Sequence, residues 1–378
     1  VVNPFNLYTE SKVFSEASPL NINEILNRIY MDSGAIVVTP YHKLIDQIIE
    51  LSDQNNRRGS VGTGVSLSRK LFDYENLGIK VKDLQNIDKQ VIEKIKELRM
   101  YAKRLLESKR NLIDDKLFSL INPQDILYLT DDSYEDYISN CYINIMEKCV
   151  FNIVDSIKDF YTPNEDIIME GSQALLIDKT YGIKPNTTFI DTTNKYGIEL
   201  SKEINYNPVK IGASKAFASR HGFGILPTKD DELCRMINDK NQTATYWQGK
   251  PTYGWFDSLL MRYLQKISNN DELFISSMDL LSGLKTIKIC DSYLYTGTID
   301  EEFDKTFEYL IESNKIIIIV IKENNDKLRY YLGKCVPIYT KLKGWERDIS
   351  NIKNIDDLPN ECIEFIEYIL KYAELRLY

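Results

Sequence analysis

Three short stretches combine residue types that could do chemistry on a ligand. In Glu170-Gly171-Ser172-Gln173, small residues let a ligand approach the backbone, and Gln173 offers both a donor and an acceptor. That pairing suits a polar ring edge; the alternative is a strand-to-helix turn with a solvated amide. In Arg57-Arg58-Gly59-Ser60-Val61-Gly62-Thr63-Gly64, spaced glycines allow backbone N–H groups to converge on a phosphate, Ser60 or Thr63 could add a hydroxyl, and two cations stand in front. The stretch lacks the Lys-Ser/Thr ending of a P-loop, and its alternative is a mobile connector. Asp279 closes a strand that begins at Glu272, the place where open α/β sheets put ligand contacts. Its carboxylate could pair two parallel N–H groups, or cap the next turn.

The elements that must hold these stretches are read from hydrophobic period and punctuation. A strand over 166–169 is expected to run into the Gln173 turn. Upstream, helices are expected over 6–16 and 21–30, the second capped by Asn21, then a strand over 35–38. Pro40 opens a helix carrying Leu44, Ile45, Ile48, Ile49 and Leu51 on one face, where His42 reads as a capping or core-edge residue rather than a catalyst. From 81 to 158 the pattern is helical, with Val91, Ile95, Leu98, Tyr101 and Leu105 as one stripe; a helical subdomain is expected over 81–154. Strands follow over 286–290, 316–321 and 330–336, and a last helix over 360–372. No internal repeat, low-complexity segment or interdomain linker breaks residues 1–378, which are expected to form one domain.

The 378 residues are 43% hydrophobic and 27% charged, a globular composition, and the net charge of −9 argues against a general nucleic-acid or anionic-membrane binder. The six cysteines are scattered without a Cys-x-x-Cys, and only two histidines could join them. They read as reduced thiols of a cytoplasmic protein rather than a metal site. No apolar run reaches the length of a membrane span.

Glu170-Gly171-Ser172-Gln173-Ala174-Leu175-Leu176-Ile177-Asp178, followed by Gly182, Pro185 and Thr188, resembles the Glu-Gly-Ala-Gln-Gly-Thr-Leu-Leu-Asp segment of adenylosuccinate synthetases. The same family is matched in order by Tyr41-His42-Lys43-Leu44-Ile45-Asp46, by Lys215-Ala216-Phe217-Ala218-Ser219-Arg220-His221-Gly222-Phe223-Gly224 with Pro227-Thr228, by Gly254-Trp255-Phe256-Asp257, by Asp279 with Gly283-Leu284, and by Gly344-Trp345 with Leu358-Pro359. The resemblance implies an α/β fold with a central, mostly parallel sheet flanked by helices, and a homodimer. It implies a ligase that joins L-aspartate to inosine monophosphate or a related 6-oxopurine nucleotide, using GTP, or ATP, with magnesium on the phosphates. By motif position it puts Ser60, Val61, Gln173, Thr188 and Lys250 at the purine nucleotide, and Thr252, Ser277, Met278 and Asp279 at the triphosphate.

Departures accompany the matches. Val61 stands where the family usually has threonine, and Thr63 where arginine is common. Lys250 and Thr252 occupy a loop normally dense in arginine, and lysine does not replace a bidentate guanidinium. Ser276-Ser277-Met278-Asp279 replaces a Thr-Lys-x-Asp motif, and the arginine that reaches a partner's site is missing near Asn76 and Leu77. The family's Gly-Asp-Glu-Gly-Lys-Gly-Lys loop and its acid histidine do not occur, and the chain stops at Leu375-Arg376-Leu377-Tyr378 before the family's Ser-Thr-Gly-Pro segment. From these positions no catalytic residue or metal ligand is assigned, the chain alone is expected to be inactive, and a non-catalytic nucleotide-binding paralogue is the rival expectation.

Overall fold

The computed structural model describes residues 1–373 except Asn56, Val150 and Asn241. The tail Leu375-Arg376-Leu377-Tyr378, and Val150 within the expected helical stretch, lie outside the described residues. The fold is α/β, with helices and strands interspersed along the chain in two compact units, Val1–Ile168 with Lys202–Asn205, and Met169–Ser201 with Tyr206–Tyr378.

The first unit is mostly helical. Asn3 caps Pro4–Ala17, and an Asn21–Glu24 capping box starts a helix that ends at Leu26 instead of residue 30. There the chain turns into the strand Tyr30–Asp32, which pairs in parallel with Asn152–Val154. The strand expected over 35–38 is reduced to single bridges, Val2 to Val37 and Ile36 to Lys80. Pro40–Ser52 begins at its proline and buries Leu44, Ile45, Ile48 and Leu51. It packs on Lys89–Lys109, which buries Val91, Ile95, Leu98, Ala102 and Leu106, residues three or four apart. Further helices, Pro123–Thr130 and Tyr137–Lys148 among them, continue this layer.

His42 is a fully buried cap, as its position predicts. Its backbone N–H reaches Thr39 Oγ1 at 3.4 Å, while its Nδ1 accepts from the Thr39 N–H at 3.0 Å and is therefore unprotonated. Burial pushes the imidazole down from 6.5 to about 3. A histidine held neutral in the folded chain contributes stability above pH 6.5 and loses it as the pH falls toward 3. Acidification through that window is expected to remove roughly 3–5 kcal/mol in the parent chain. Urea midpoints measured from pH 7 to 4 should show a flatter loss in His42→Gln; parallel curves would exclude His42 as the acid-sensitive group.

In the second unit the largest sheet runs in the order Cys335–Lys343, Thr286–Tyr295, Lys315–Ile321, Phe307–Glu312, all antiparallel neighbours. Phe256–Asp257 adds a short parallel contact at Ile289 and Cys290. Among the described residues, the parallel pairing expected of the sheet occurs as short ladders: here, at Ile211–Lys215 with Glu272–Ser276, and in the first unit at Tyr30–Asp32 with Asn152–Val154. Connection length explains part of the difference: Phe307–Glu312 and Lys315–Ile321 are joined by Ser313 and Asn314, both at positive φ, and a two-residue link permits only antiparallel pairing. Residues 330–332 belong to the helix Leu328–Leu332 rather than to a strand, because Leu328, Tyr331 and Leu332 are buried at helical spacing. One core gathers Trp255, Phe256, Ile289, Trp345 and Phe365, and a second gathers Tyr293, Tyr295, Phe303, Ile318 and Tyr331. All six cysteines are free thiols, three of them buried.

Candidate functional site

The glycine-rich stretch in the first unit is a fastened loop rather than a mobile connector. Gly59, Gly62 and Gly64 lie at φ of 79°, 74° and 79°, which only glycine adopts without strain. A Cβ on Gly64 would stand 2.6 Å from the His42 carbonyl carbon and the Lys43 nitrogen, so the loop passes directly against the start of the Pro40–Ser52 helix.

Three buried polar side chains of that helix, Asp46, Gln47 and Glu50, hold the loop. Asp46 Oδ2 accepts from the Ser60 hydroxyl at 2.5 Å and from the Gly64 N–H at 3.2 Å. Glu50 accepts from the Gly59 N–H at 3.2 Å, and Gln47 donates to the Gly62 carbonyl at 3.2 Å. The two cations expected to face a phosphate turn to these carboxylates: Arg58 reaches Asp46 at 3.2 Å and Glu50 at 3.4 Å, and Arg57 approaches Glu50 at 3.9 Å. Burial pushes both carboxyl groups above the ordinary range, and their partners only partly oppose it.

Ser60 also accepts from the Gly62 N–H at 3.1 Å, so its hydroxyl closes the loop from within. The N–H groups of Gly59 and Gly64 are likewise engaged, by the two helix carboxylates. Val61, 48% exposed, and Thr63, also exposed, are the side chains the loop presents outward, and of the two only Thr63 carries a hydroxyl. Asp46 entered the sequence reading only as the last residue of a motif and Glu50 not at all; the signal that could have found them is two carboxylates four residues apart inside an apolar stripe.

Residues 166–169 form no strand; no described residue pairs with them in a ladder. Gln173 is exposed, at φ 67°, and is anchored through its neighbour, whose carbonyl accepts from Thr192 Oγ1 at 3.3 Å. The following loop winds around Asp178. This buried carboxylate accepts from the N–H groups of Thr180 at 2.7 Å, Tyr181 at 2.9 Å and Thr192 at 2.7 Å. Thr188 is buried beside it, its N–H on the Ile177 carbonyl at 2.7 Å.

Arg220 joins this loop to the lysine- and threonine-bearing stretch. Its guanidinium donates to the Asn186 carbonyl at 3.2 Å, and its own carbonyl accepts from Thr252 Oγ1 at 3.2 Å across the antiparallel Ala218–Arg220 and Thr252–Gly254 ladder. Lys250, two residues earlier, is exposed. One arginine, which the sequence reading quoted only as part of a motif, thus holds Thr252 directly and the loop that carries Thr188 through Asn186.

Ser277, Met278 and Asp279 form a separate turn beyond Glu272–Ser276. Ser277 is at φ 61°, Asp279 is exposed, and the Met278 carbonyl accepts from the Trp345 indole N–H at 3.3 Å. Asp279 uses its carbonyl, not its carboxylate, to close the turn to the Ser282 N–H. Lys215, at the end of the neighbouring parallel strand, pairs with Asp239 at 2.5 Å. Among the described residues no three His, Cys, Asp or Glu side chains converge as a metal site.

The adenylosuccinate synthetase family profile matches residues 1–378. An adenylosuccinate synthetase of Exiguobacterium sp. is 28% identical over 384 residues, spanning 100% of this chain and 78% of the relative. One from Bacillus cereus is 25% identical over 383 residues, with the same coverage. Among solved structures, a fully ligated adenylosuccinate synthetase from Plasmodium falciparum superposes with a TM-score of 0.63 at 21% identity, covering 97% of this chain and 78% of the other.

Proposed function

Because this chain belongs to the adenylosuccinate synthetase family of purine-biosynthetic ligases, we propose that it joins L-aspartate to a 6-oxopurine nucleotide, inosine monophosphate or a close relative, at the expense of GTP or ATP. The observation that carries this reading is the family match along the whole chain. In this assignment the Ser60–Val61 loop lies at the purine nucleotide's phosphate, Gln173 and Thr188 hold the purine and phosphate, and Lys250 lies near aspartate. Thr252, Ser277, Met278 and Asp279 serve the triphosphate, with the Asp279 carboxylate reading its base edge. Positioning and electrostatic stabilisation are what such residues contribute to phosphoryl transfer. Magnesium, when bound, would neutralise phosphate charge. We place the active form in the cytoplasm as a homodimer; among the described residues no helix is long and apolar enough to cross a membrane.

A second reading, a nucleotide-binding subunit without turnover, is favoured by Lys250 and Thr252 standing where the family has arginines. Calorimetric titration with inosine monophosphate, then GTP and ATP, each with magnesium and L-aspartate, separates the two. Binding with formation of the succinylated purine supports the ligase, and binding without product supports the second reading. Failure of all three nucleotides to bind overturns both. Gln173→Ala is expected to weaken inosine monophosphate by about 1–3 kcal/mol, the cost of removing an amide that the bound purine buries. Unchanged affinity would remove Gln173 from the site.

A further inference from the structure

The chain carries a net charge of −9, yet four cations gather at one place in its second unit. An open depression of about 500 Å³ is lined by Pro185, Tyr330 and Gly333 together with Lys184, Arg329 and Lys334. The carboxylate on its wall, Asp326, is paired with Lys184 at 3.0 Å. Lys334 lies over the Tyr330 ring, 5.9 Å from its centroid.

Arg220 adjoins this depression through Asn186, the residue after Pro185. Its guanidinium is fixed by three donations, to Asn186 at 3.2 Å and to the Phe223 carbonyl at 3.1 and 2.8 Å. Gly224, at φ 135°, makes that position available, because a Cβ there would fall 2.3 Å from Arg220 Nη2. Among the described residues, no carboxylate lies within ion-pair distance of Arg220, Arg329 or Lys334. Burial, and then the charge of Arg329, lower the Arg220 pKa from its ordinary value, so these two guanidiniums are close enough to repel each other. A half-buried cation clamped on carbonyls beside a second cation is held against its electrostatics, and an anion relieves that repulsion.

We propose that this depression is an anion site, taking a phosphate or carboxylate group at Arg329 and Lys334 with Arg220 supplying fixed positive charge alongside. It shares no residue with the assigned nucleotide contacts and stands or falls apart from them. Phosphate and carboxylate offer the same oxygen edge to a guanidinium, and the ligand sources are separated by titration.

The test is calorimetric titration of the whole chain with inorganic phosphate, L-aspartate and inosine monophosphate, one at a time. The parent is compared with the double variant Arg329→Gln/Lys334→Gln and with Asp326→Asn. The double variant is expected to lose at least tenfold in affinity for the probe the site takes. Loss for phosphate and inosine monophosphate alone assigns a phosphate group, and loss for L-aspartate alone assigns a carboxylate. Asp326→Asn removes the competing carboxylate and is expected to tighten the same probe about threefold, a gain that misfolding cannot produce. The proposal is overturned if the parent binds none of the three, or if both variants bind all three as the parent does. A Gln173→Ala effect with no Arg329 effect would sink this site and leave the nucleotide assignment standing, and the reverse pattern would do the opposite.

Discussion

Asp46→Ala is expected to lower the stability of the first unit by about 3–5 kcal/mol, the range for removing one partner of a buried charged network. Asp46 is 1% exposed and holds three groups at once: the Ser60 hydroxyl, the Gly64 N–H and the Arg58 guanidinium. Without it, Ser60 and Gly64 lose their acceptor, and Arg58 loses the closer of its two carboxylate contacts, Glu50 standing at 3.4 Å. Each buried donor so abandoned costs its own desolvation. Asp46→Asn retains the volume but presents an amide, whose two donors cannot satisfy three more donors, so it should recover only part of the loss. Urea unfolding of the three proteins, with inosine monophosphate titrations alongside, reads both effects. A loss below about 1 kcal/mol for Asp46→Ala would mean that the loop is fastened by other means.

Trp345→Ala should cost the second unit a similar 3–5 kcal/mol, the usual range for emptying a buried tryptophan position. The indole is 1% exposed, meets Phe365 edge-on at 5.5 Å between centroids and donates to the Met278 carbonyl at 3.3 Å. Its own carbonyl accepts from Gly283 at 3.0 Å, so the residue grips both sides of the Ser277–Asp279 turn. Trp345→Phe separates the packing from that grip. It keeps most of the apolar surface and removes the N–H, and should cost about 1 kcal/mol plus a packing remainder. If the turn reads the triphosphate's base, the phenylalanine variant will weaken GTP more than inosine monophosphate. Equal weakening of the two would detach the turn from triphosphate selection.

Local signals in the sequence carried well where the decision was local. Asn21 before Glu24, Pro40 after Thr39, and the Val91, Ile95, Leu98 stripe each depend on neighbours within one or two turns, and each element starts where those residues put it. Ladder partners are a different matter. A run such as 166–169 is apolar enough for a strand, but a strand exists only if a second segment offers its backbone, and no described segment does. Tyr330 and Tyr331 were drawn toward a strand by aromatic content, while burial of Leu328, Tyr331 and Leu332 shows the helical period instead. The motif order located the stretches of the candidate site but not their supports. The clasp from Asp46 and Glu50 and the convergence of Arg220 with Arg329 join segments that chain order alone does not relate.

The clasped glycine loop has a consequence for how ligands arrive. With Asp46 and Glu50 ionised, the charges of Arg57 and Arg58 are cancelled within a few ångströms, so little field leaves the loop. An anion would meet it without long-range steering and would be recognised at contact distance, by shape and hydrogen bonds. Encounter at this loop should therefore be nearly indifferent to ionic strength, whereas capture in the depression around Arg329, where one carboxylate faces several cations, slows as salt rises. One chain would then offer two anion surfaces with opposite kinetic character, distinguishable by stopped-flow association rates across a salt series.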